Sequence, residues 1–199
     1  METRLGKIAT FADQAHGEQR RKYHDERYIR HPLRVMKRCQ HYGYSLPVLA
    51  AAILHDVLED TDTSPGEIKE FLMTLMNERD VHHTLSLVTE LTDVYTKDQY
   101  PRLNRRQRKA RESDRIEKIS TEAQTIKYAD IIDNAKGIAA YGAGFAPVFL
   151  RECKVLLEKM KKGNNELREE AMEVIAKEME QLETYDLHGG HRGFLNDPV

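Results

Sequence analysis

Apolar residues recur along most of this chain at the three- to four-residue spacing of an α-helix, whereas the alternation typical of a β-strand is scarce. The prolines stand mostly where such segments begin, as in Ser64-Pro65-Gly66-Glu67, a capping-box pattern with proline at the first helical position. We therefore expect an all-α fold. The pattern predicts roughly eight or nine helices, at about 3–22, 32–42, 46–60, 65–77, 80–92, 103–113, 120–140, 145–162 and 164–183.

The helical segments follow one another without a low-complexity linker or an internal repeat. A chain of 199 residues is long enough for one domain with a sizeable core. We predict a single helical bundle over residues 1–184. Residues 185–199, with the sequence YDLHGGHRGFLNDPV, are rich in glycine and polar residues and are predicted to form a mobile tail.

The formal net charge of −2 gives no overall reason to expect a nucleic acid or a membrane as a partner. Any anion-binding surface must then be local, and the arginine-rich run 102–111 is one candidate. Cys39 and Cys153 fit no metal-binding spacing and are interpreted as reduced thiols. The chain shows neither an apolar run of transmembrane length nor a signal-peptide core, so we expect a cytoplasmic protein.

One segment departs from the amphipathic pattern. Residues 48–54 are all apolar or small, which is typical of a helix that is buried on every side. Four ionisable residues follow within six positions: His55, Asp56, Glu59 and Asp60. Because such groups are costly to desolvate without a partner, a metal ion would account for them. Imidazole and carboxylate ligands suit Mn, Fe, Zn or Ni.

A metal site needs further ligands from elsewhere in the chain. His31 stands in RYIRHPL, and Asp130 stands in TIKYADIIDN, where its neighbours are apolar. For His31 alone a helix cap or a salt bridge is the favoured explanation, and for Asp130 alone that explanation is about as good as a metal site. Four such residues on otherwise apolar elements together favour a metal site made of His31, His55, Asp56 and Asp130.

The order His31, His55-Asp56, Asp130 resembles the signature of the HD-domain phosphohydrolases. The blocks AHGEQRRK, YIRHPL, LAAAILHDVLEDTDT, LTD and IKYADIIDN resemble the hydrolase domain of the RelA/SpoT family. They are most similar to its stand-alone small alarmone hydrolases of the metazoan-SpoT-homologue type, from about residue 9 to about residue 180. The resemblance implies an HD-domain helical bundle, one Mn²⁺ ion, and hydrolysis of the 3′-pyrophosphate of ppGpp or pppGpp.

The resemblance also implies roles for individual residues. His31, His55, Asp56 and Asp130 correspond to the metal ligands of the family. Glu59 and Asp60 correspond to the acidic pair that orients and deprotonates the attacking water, which is chemically coherent because a carboxylate beside a metal-bound water can accept its proton.

Further positions correspond to substrate contacts. Arg21 and Lys22 match the pair that packs on the guanine base, and Asn134 matches a contact to the ribose or the pyrophosphate. The phosphate-contacting lysine of the family corresponds to Arg102 or to the Arg108–Lys109 region. In the loop before His31, the chain carries residues where the family has glycine or a glycine-proline turn, namely Glu18, Asp25 and Arg27.

Two other functions remain open from the sequence. An HD-fold enzyme could act on another nucleotide, such as the 2′-phosphate of a nicotinamide dinucleotide or a deoxynucleotide. A nucleotide-binding regulator without catalysis is a different class, which the complete ligand set and the Glu59–Asp60 pair argue against. The predicted partner is a small nucleotide, and the pattern leaves the oligomeric state undetermined.

Overall fold

The computed structural model describes residues 3–141 and 144–187, and this part of the chain forms eleven helical segments. In chain order these are α1 (Arg4–His16), α2 (Arg30–His41), α3 (Leu46–Leu54), α4 (Val57–Asp60), α5 (Pro65–Met73), α6 (Glu78–Leu91), α7 (Arg105–Ile116), α8 (Thr121–Ala135), α9 (Ile138–Tyr141), α10 (Ala146–Lys159) and α11 (Asn165–Leu187).

The predicted all-α class is confirmed. Over the described ranges the chain contains no β-strand, only an isolated bridge between Arg20 and Arg27. Each predicted helix has a counterpart, but two are divided: 46–60 becomes α3 and α4, and 120–140 becomes α8 and α9. The predicted capping box of α5 is present, because Ser64 accepts the Glu67 N–H and the Glu67 carboxylate accepts the Ser64 N–H.

The prediction of a first helix over 3–22 is wrong at its C-terminal end. Gly17 adopts a φ of 55° and its N–H donates to the carbonyl of Asp13, which ends α1 at His16. The chain then doubles back through the loop of residues 17–29. Arg27 closes this loop, because its guanidinium donates to the Gly17 carbonyl at 3.1 Å and pairs with the Asp13 carboxylate at 3.0 Å.

Helix α3 lies at the centre of the bundle, and its residues 47–54 are all buried. It packs against α1, α2, α6 and α8, while α8 packs in addition against α2, α6 and α11. Burial of these apolar side chains is the main stabilising contribution to such a bundle. The start of α2, the end of α3 and the middle of α8 are thereby brought together, and these are the segments that carry the predicted metal ligands.

The division between α8 and α9 has a defined cause. Gly137 has a φ of 77°, which favours glycine, and its N–H donates to the carboxylate of Glu178 at 2.9 Å. The Ala139 N–H donates to the second oxygen of the same carboxylate at 3.2 Å. Buried Glu178 on α11 therefore caps the start of α9.

Helix α11 continues through Leu187, so the predicted boundary after residue 184 falls inside a helix. The rest of the predicted tail, residues 188–199, lies outside the described residues. Both cysteines are buried and free. Among the helices that the structure describes, none combines the length and the apolar character that crossing a membrane requires.

Candidate metal and nucleotide site

The four predicted metal ligands converge in the interior of the bundle. His31 lies at the start of α2, His55 directly follows α3, Asp56 directly precedes α4, and Asp130 lies on α8. The His31 Nε2 atom is 3.2 Å from Asp130 Oδ1 and 3.5 Å from Asp56 Oδ2. The His55 Nε2 atom is 2.9 Å from Asp56 Oδ2 and 3.7 Å from Asp130 Oδ1.

The other ring nitrogens orient both imidazoles. His55 Nδ1 lies 2.9 Å from the Ala52 carbonyl, and His31 Nδ1 lies 2.8 Å from Asp133 Oδ2. These acceptors assign the proton to Nδ1 and leave each Nε2 to face the carboxylates. Both Nε2 atoms are buried, and within the described residues neither has a hydrogen-bond partner.

This donor set fits a divalent metal ion. The ligand atoms of His31, His55 and Asp56 lie within 4.8 Å of one another, and Asp130 adds a second carboxylate beside both imidazoles. Two imidazole nitrogens and two carboxylate oxygens are ligands that transition metals accept readily. The two buried Nε2 atoms without a hydrogen bond are the feature that a bound ion would explain most directly.

The pKa values reflect the concentration of charge. Burial lowers the pKa of His31, but the neighbouring carboxylates of Asp130, Asp133 and Asp56 outweigh this effect and raise that pKa to about 9. Burial acts on His55 in the same direction, and its pKa also rises well above the ordinary value because of Asp56 and Asp130. Burial raises the pKa values of Asp56 and Asp130, yet nearby positive charges hold both well below the usual range.

Three neighbours orient the two carboxylates. The Tyr28 hydroxyl donates to Asp56 Oδ2 at 2.6 Å, and the Asn134 amide donates to Asp130 Oδ1 at 2.5 Å. The Lys127 ammonium pairs with Asp130 Oδ2 at 2.9 Å. Asn134 is predicted from the sequence as a contact to the ribose or the pyrophosphate, whereas no sequence signal singles out Tyr28 or Lys127. Lys127 precedes Asp130 by three positions, a spacing that places two residues on one face of a helix.

A cleft of about 1090 Å³ opens beside these ligands. Its volume is slightly above the usual range of about 300–1,000 Å³ for small-molecule sites. Tyr28, Asp130 and Lys127 line it at the metal end. Three of the predicted substrate contacts also line it, namely Arg21, Lys22 and Asn134.

The predicted acidic pair is divided between two cavities. Glu59 lines the large cleft and also a smaller neighbouring cavity of about 610 Å³, whereas Asp60 lines only the smaller one. The Glu59 carboxylate accepts the backbone N–H of Asp93. Partial desolvation, followed by the negative charge of Asp93, raises the pKa of Glu59 to about 7. Glu59 can therefore exchange a proton near neutral pH.

Arg102, predicted as a phosphate contact, is exposed and lines neither cavity. Three cations of α7 lie in the cleft wall instead, namely Arg105, Arg106 and Lys109. Lys109, which belongs to the alternative assignment, lines both cavities and pairs with Asp93 at 3.1 Å.

Helix α10 and the residue before it contribute both apolar and charged side chains to the cleft. The apolar ones include Phe145, Val148, Phe149 and Leu156, and the charged ones are Arg151, Glu152 and Lys159. Arg105 joins α7 to α10, because its guanidinium pairs with Glu152 at 2.8 Å. Apolar side chains beside a group of cations suit a ligand that combines a flat ring with phosphate groups.

Asp133 is a further residue of the site that the sequence pattern does not single out. Its carboxylate accepts hydrogen bonds from Arg21 at 2.9 Å, from His31 at 2.8 Å and from the Nε of Arg34 at 2.6 Å. The available signal was a second acidic residue in the apolar stretch that also holds Asp130. The pattern could not show which side chains this carboxylate meets, because Arg21 lies 112 positions away.

Residues 28–135 match the family described as HD domain. This segment is more than half of the chain and contains all four candidate metal ligands. The chain belongs to the HD-domain family, which confirms the resemblance inferred from the order of the candidate ligands.

Within this family, the predicted resemblance to small alarmone hydrolases is also confirmed. The chain is 35% identical over 133 residues to the guanosine-3′,5′-bis(diphosphate) 3′-pyrophosphohydrolase MESH1 of Xenopus tropicalis, covering 65% of this chain and 66% of the frog protein. It is 52% identical over 60 residues to the guanosine-3′,5′-bis(diphosphate) 3′-pyrophosphohydrolase of Aquifex aeolicus. That match covers 30% of this chain but only 8% of the bacterial protein.

A solved structure supports the same relationship at the level of the fold. It is described as a metazoan orthologue of SpoT that hydrolyses ppGpp and plays a role in starvation responses. It superposes with a TM-score of 0.73 at 25% identity and covers 87% of this chain and 94% of that chain. The helical bundle described here is therefore shared over nearly the whole of both chains.

Proposed function

We propose that this chain is a Mn²⁺-dependent 3′-pyrophosphohydrolase that converts ppGpp or pppGpp to GDP or GTP and pyrophosphate. The observation that carries the proposal is the convergence of His31, His55, Asp56 and Asp130 beside a cleft of nucleotide size. The names of the frog and Aquifex relatives supply the substrate class.

His31, His55, Asp56 and Asp130 would hold the ion. A divalent ion held there supplies a water molecule of lowered pKa and neutralises phosphate charge. The chain contributes the orientation of the ligands, because Tyr28 holds one oxygen of Asp56 and Asn134 holds one oxygen of Asp130. Fixed ligands lower the cost of assembling the site when the ion binds.

The hydrolysis adds one water molecule across the bond between the 3′-oxygen and its phosphorus. The water oxygen bonds to that phosphorus, the bond to the 3′-oxygen breaks, and the 3′-oxygen takes up a proton as pyrophosphate leaves. We assign Glu59 as the acceptor of the water proton, because it lines the cleft and has a pKa of about 7. Asp60, beside it in the smaller cavity, is assigned a supporting electrostatic role.

The remaining residues of the cleft would bind the nucleotide. Arg21 and Lys22 are assigned to the guanosine, since a guanidinium can stack on a base. The phosphates would meet Lys127 at the metal end and the α7 cations Arg106 and Lys109 along the wall. This distribution matches a substrate with phosphate groups at both ends of its ribose.

A nucleotide panel tests the proposal. The purified chain is incubated with ppGpp, pppGpp, a deoxynucleoside triphosphate and a 2′-phosphorylated nicotinamide dinucleotide, each with Mn²⁺, Zn²⁺, Mg²⁺ or a chelator. We expect pyrophosphate from ppGpp and pppGpp, the highest rate with Mn²⁺, and no turnover with the chelator. Release of inorganic phosphate from the dinucleotide alone would instead support the alternative HD-fold phosphohydrolase.

A matched pair of variants tests whether the candidate metal site is required for activity. Asp56→Asn keeps the size of a candidate ligand but removes its charge, so it should lose both Mn²⁺ binding in calorimetry and turnover. Asp62→Asn makes the same change at an exposed position that lines neither cavity and should behave as the wild type. Full turnover by Asp56→Asn would contradict the assignment of the metal site.

A further inference from the structure

One buried carboxylate touches both the candidate metal site and the candidate nucleotide site. The Oδ2 atom of Asp133 accepts a hydrogen bond from His31 Nδ1 at 2.8 Å and another from Arg21 Nη1 at 2.9 Å. Asp133 is 7% exposed, and the side chain of Arg21 is 8% exposed although it lines the cleft. A single oxygen atom thus joins a predicted metal ligand to a predicted base contact.

The carboxylate itself is held in place from the other side. Arg34 donates from Nε to Asp133 Oδ1 at 2.6 Å and from Nη2 to Oδ2 at 3.1 Å. The far edge of the Arg34 guanidinium is occupied by Glu26, whose carboxylate accepts from Nη1 at 2.9 Å. A carboxylate held by a planar guanidinium in this way has little freedom to rotate, so the direction of Oδ2 is fixed.

We propose that Asp133 is a positioning residue that serves both sites at once, an inference that rests on the proposed function. By accepting from His31 Nδ1, it sets the tautomer and the ring orientation that present Nε2 to the metal. By accepting from Arg21, it holds the guanidinium against the wall of the cleft before the nucleotide arrives.

The hydrogen bond to His31 and the hydrogen bond to Arg21 have different physical consequences. A hydrogen bond to the outer nitrogen of a metal-binding histidine typically contributes 10–100-fold to metal affinity or activity. An arginine that is already ordered loses less side-chain entropy when a ligand binds. Loss of the Asp133 charge should therefore weaken metal binding and nucleotide binding together, although neither ligand touches Asp133.

The test compares Asp133→Asn with Glu26→Gln. Both changes remove one negative charge from the same Arg34-centred network, but the hydrogen bonds of the Glu26 carboxylate go to Arg34 and not to His31 or Arg21. The Glu26 backbone carbonyl accepts the Arg21 N–H at 3.1 Å, a contact that the side-chain substitution leaves in place. Calorimetry with Mn²⁺ alone reports the metal arm, and calorimetry with GDP at saturating Mn²⁺ reports the nucleotide arm. We expect Asp133→Asn to weaken Mn²⁺ binding by about 10–100-fold and GDP binding by about tenfold, as expected for one charged hydrogen bond. Glu26→Gln should change each affinity by less than about twofold, because the partly exposed Glu26–Arg34 ion pair is screened by solvent and the substituted amide oxygen can still accept from Arg34.

Each other outcome overturns the inference. Unchanged Mn²⁺ affinity in Asp133→Asn removes the role toward His31, and weaker Mn²⁺ binding with unchanged GDP binding removes the joint role. If Glu26→Gln lost as much Mn²⁺ and GDP affinity as Asp133→Asn, the network would act only through general packing and not through the contacts of Asp133.

A second variant covers the case in which Asp133→Asn does not fold. Arg34→Lys keeps the charge but loses the planar contact that holds the Asp133 carboxylate. It should weaken both affinities in the same direction, and unchanged affinities would overturn the inference.

These measurements separate the inference from the proposed function. If the wild type binds Mn²⁺ and GDP but releases no pyrophosphate from ppGpp, the proposed function is wrong. The Mn²⁺ and GDP affinities of the variants can still be compared in that case, so the role of Asp133 is still tested. If the wild type binds Mn²⁺ but not GDP, the nucleotide arm of the Asp133 role is wrong.

Discussion

Glu59 is the side chain whose chemistry depends most on its surroundings. Its pKa of about 7, raised by partial desolvation and by Asp93, means that the carboxylate is largely protonated below neutral pH. Only the deprotonated form can accept a proton from water. We therefore predict that kcat rises as the pH increases through about 7 and levels off above it.

A kcat profile between about pH 5.5 and 9 checks this prediction. Glu59→Gln should still bind Mn²⁺ but turn over at least ~10²-fold more slowly, without the rise near neutral pH. Asp60→Asn should lose less activity and keep the shape of the profile, because Asp60 does not line the large cleft. A Glu59→Gln variant with the wild-type profile would show that another group accepts the proton.

At the scale of elements, α7 contributes cations to the cleft, whereas the predicted phosphate contact Arg102 precedes this helix. Arg106 lines the cleft, and no ion-pair partner for it lies among the described residues, whereas Arg102 lines neither cavity. Arg106→Glu should lower kcat/KM for ppGpp by about tenfold at low ionic strength, because it reverses a charge facing an anionic substrate.

Arg102→Glu is the matched control, since it makes the same charge reversal just before α7. Its kcat/KM should stay within about twofold of the wild type, and the deficit of Arg106→Glu should shrink as salt screens the cleft. Initial rates at two salt concentrations measure both effects. A larger loss in Arg102→Glu would restore the original assignment of Arg102 to phosphate binding.

The junction between α8 and the start of α11 has no room for an added carbon atom. A Cβ at Gly163 would lie 2.9 Å from the backbone nitrogen of Thr125 and even closer to the ring of Tyr128. Helix α8 cannot shift freely there, because the Tyr128 hydroxyl donates to the Met160 carbonyl at 2.9 Å. Gly163→Ala should destabilise the fold by about 1–3 kcal/mol, the usual cost of overpacking.

Thermal unfolding of Gly163→Ala and Gly66→Ala measures this effect. A Cβ at Gly66 would meet only the Ser64 Oγ at 3.7 Å, an ordinary contact, so that variant should match or exceed the wild-type Tm. Gly163→Ala should lower the Tm by about 2–4 °C for each kcal/mol lost. Equal Tm values for the two variants would mean that the α8–α11 junction can relax around the methyl group.

At the scale of the whole molecule, the candidate ligands tie together α2, the end of α3 and α8. An ion that binds only the folded chain stabilises it by about 2.7 kcal/mol at 100 times its Kd. For a domain of this size, that corresponds to a rise in Tm of about 5–10 °C. We predict this rise when Mn²⁺ is added to metal-free protein.

Calorimetric unfolding with and without Mn²⁺ is the measurement, and Asp56→Asn is the control. The variant should show no Mn²⁺-dependent change in Tm, because one candidate ligand is lost. Asp62→Asn should show the full change. An equal rise in Asp56→Asn would place the stabilising ion somewhere other than the predicted site.

Local chemistry along the chain was enough to predict the helices and the identity of the converging ligands. Helical periodicity depends on neighbours three and four positions apart. The apolar run that ends in His55 and Asp56 indicates a metal site from the residues of one segment alone. The same local basis explains the errors. Periodicity alone did not reveal that Gly17 ends α1 early, or that His55 bonds to the Ala52 carbonyl where α3 gives way to α4.

Contacts between distant segments were decided only by the packing of the helices. Asp133 meets Arg21 and His31 because α8 lies against α2 and the loop before it, and the positions involved are about a hundred residues apart. The position of Arg106 in the cleft wall depends on which face of α7 is turned toward the cleft, and Arg102 lies outside the cleft because it precedes that helix. Neither relationship leaves a periodic signal in the sequence, since a side chain's partner across a cleft is set by the arrangement of whole helices rather than by its neighbours in the chain.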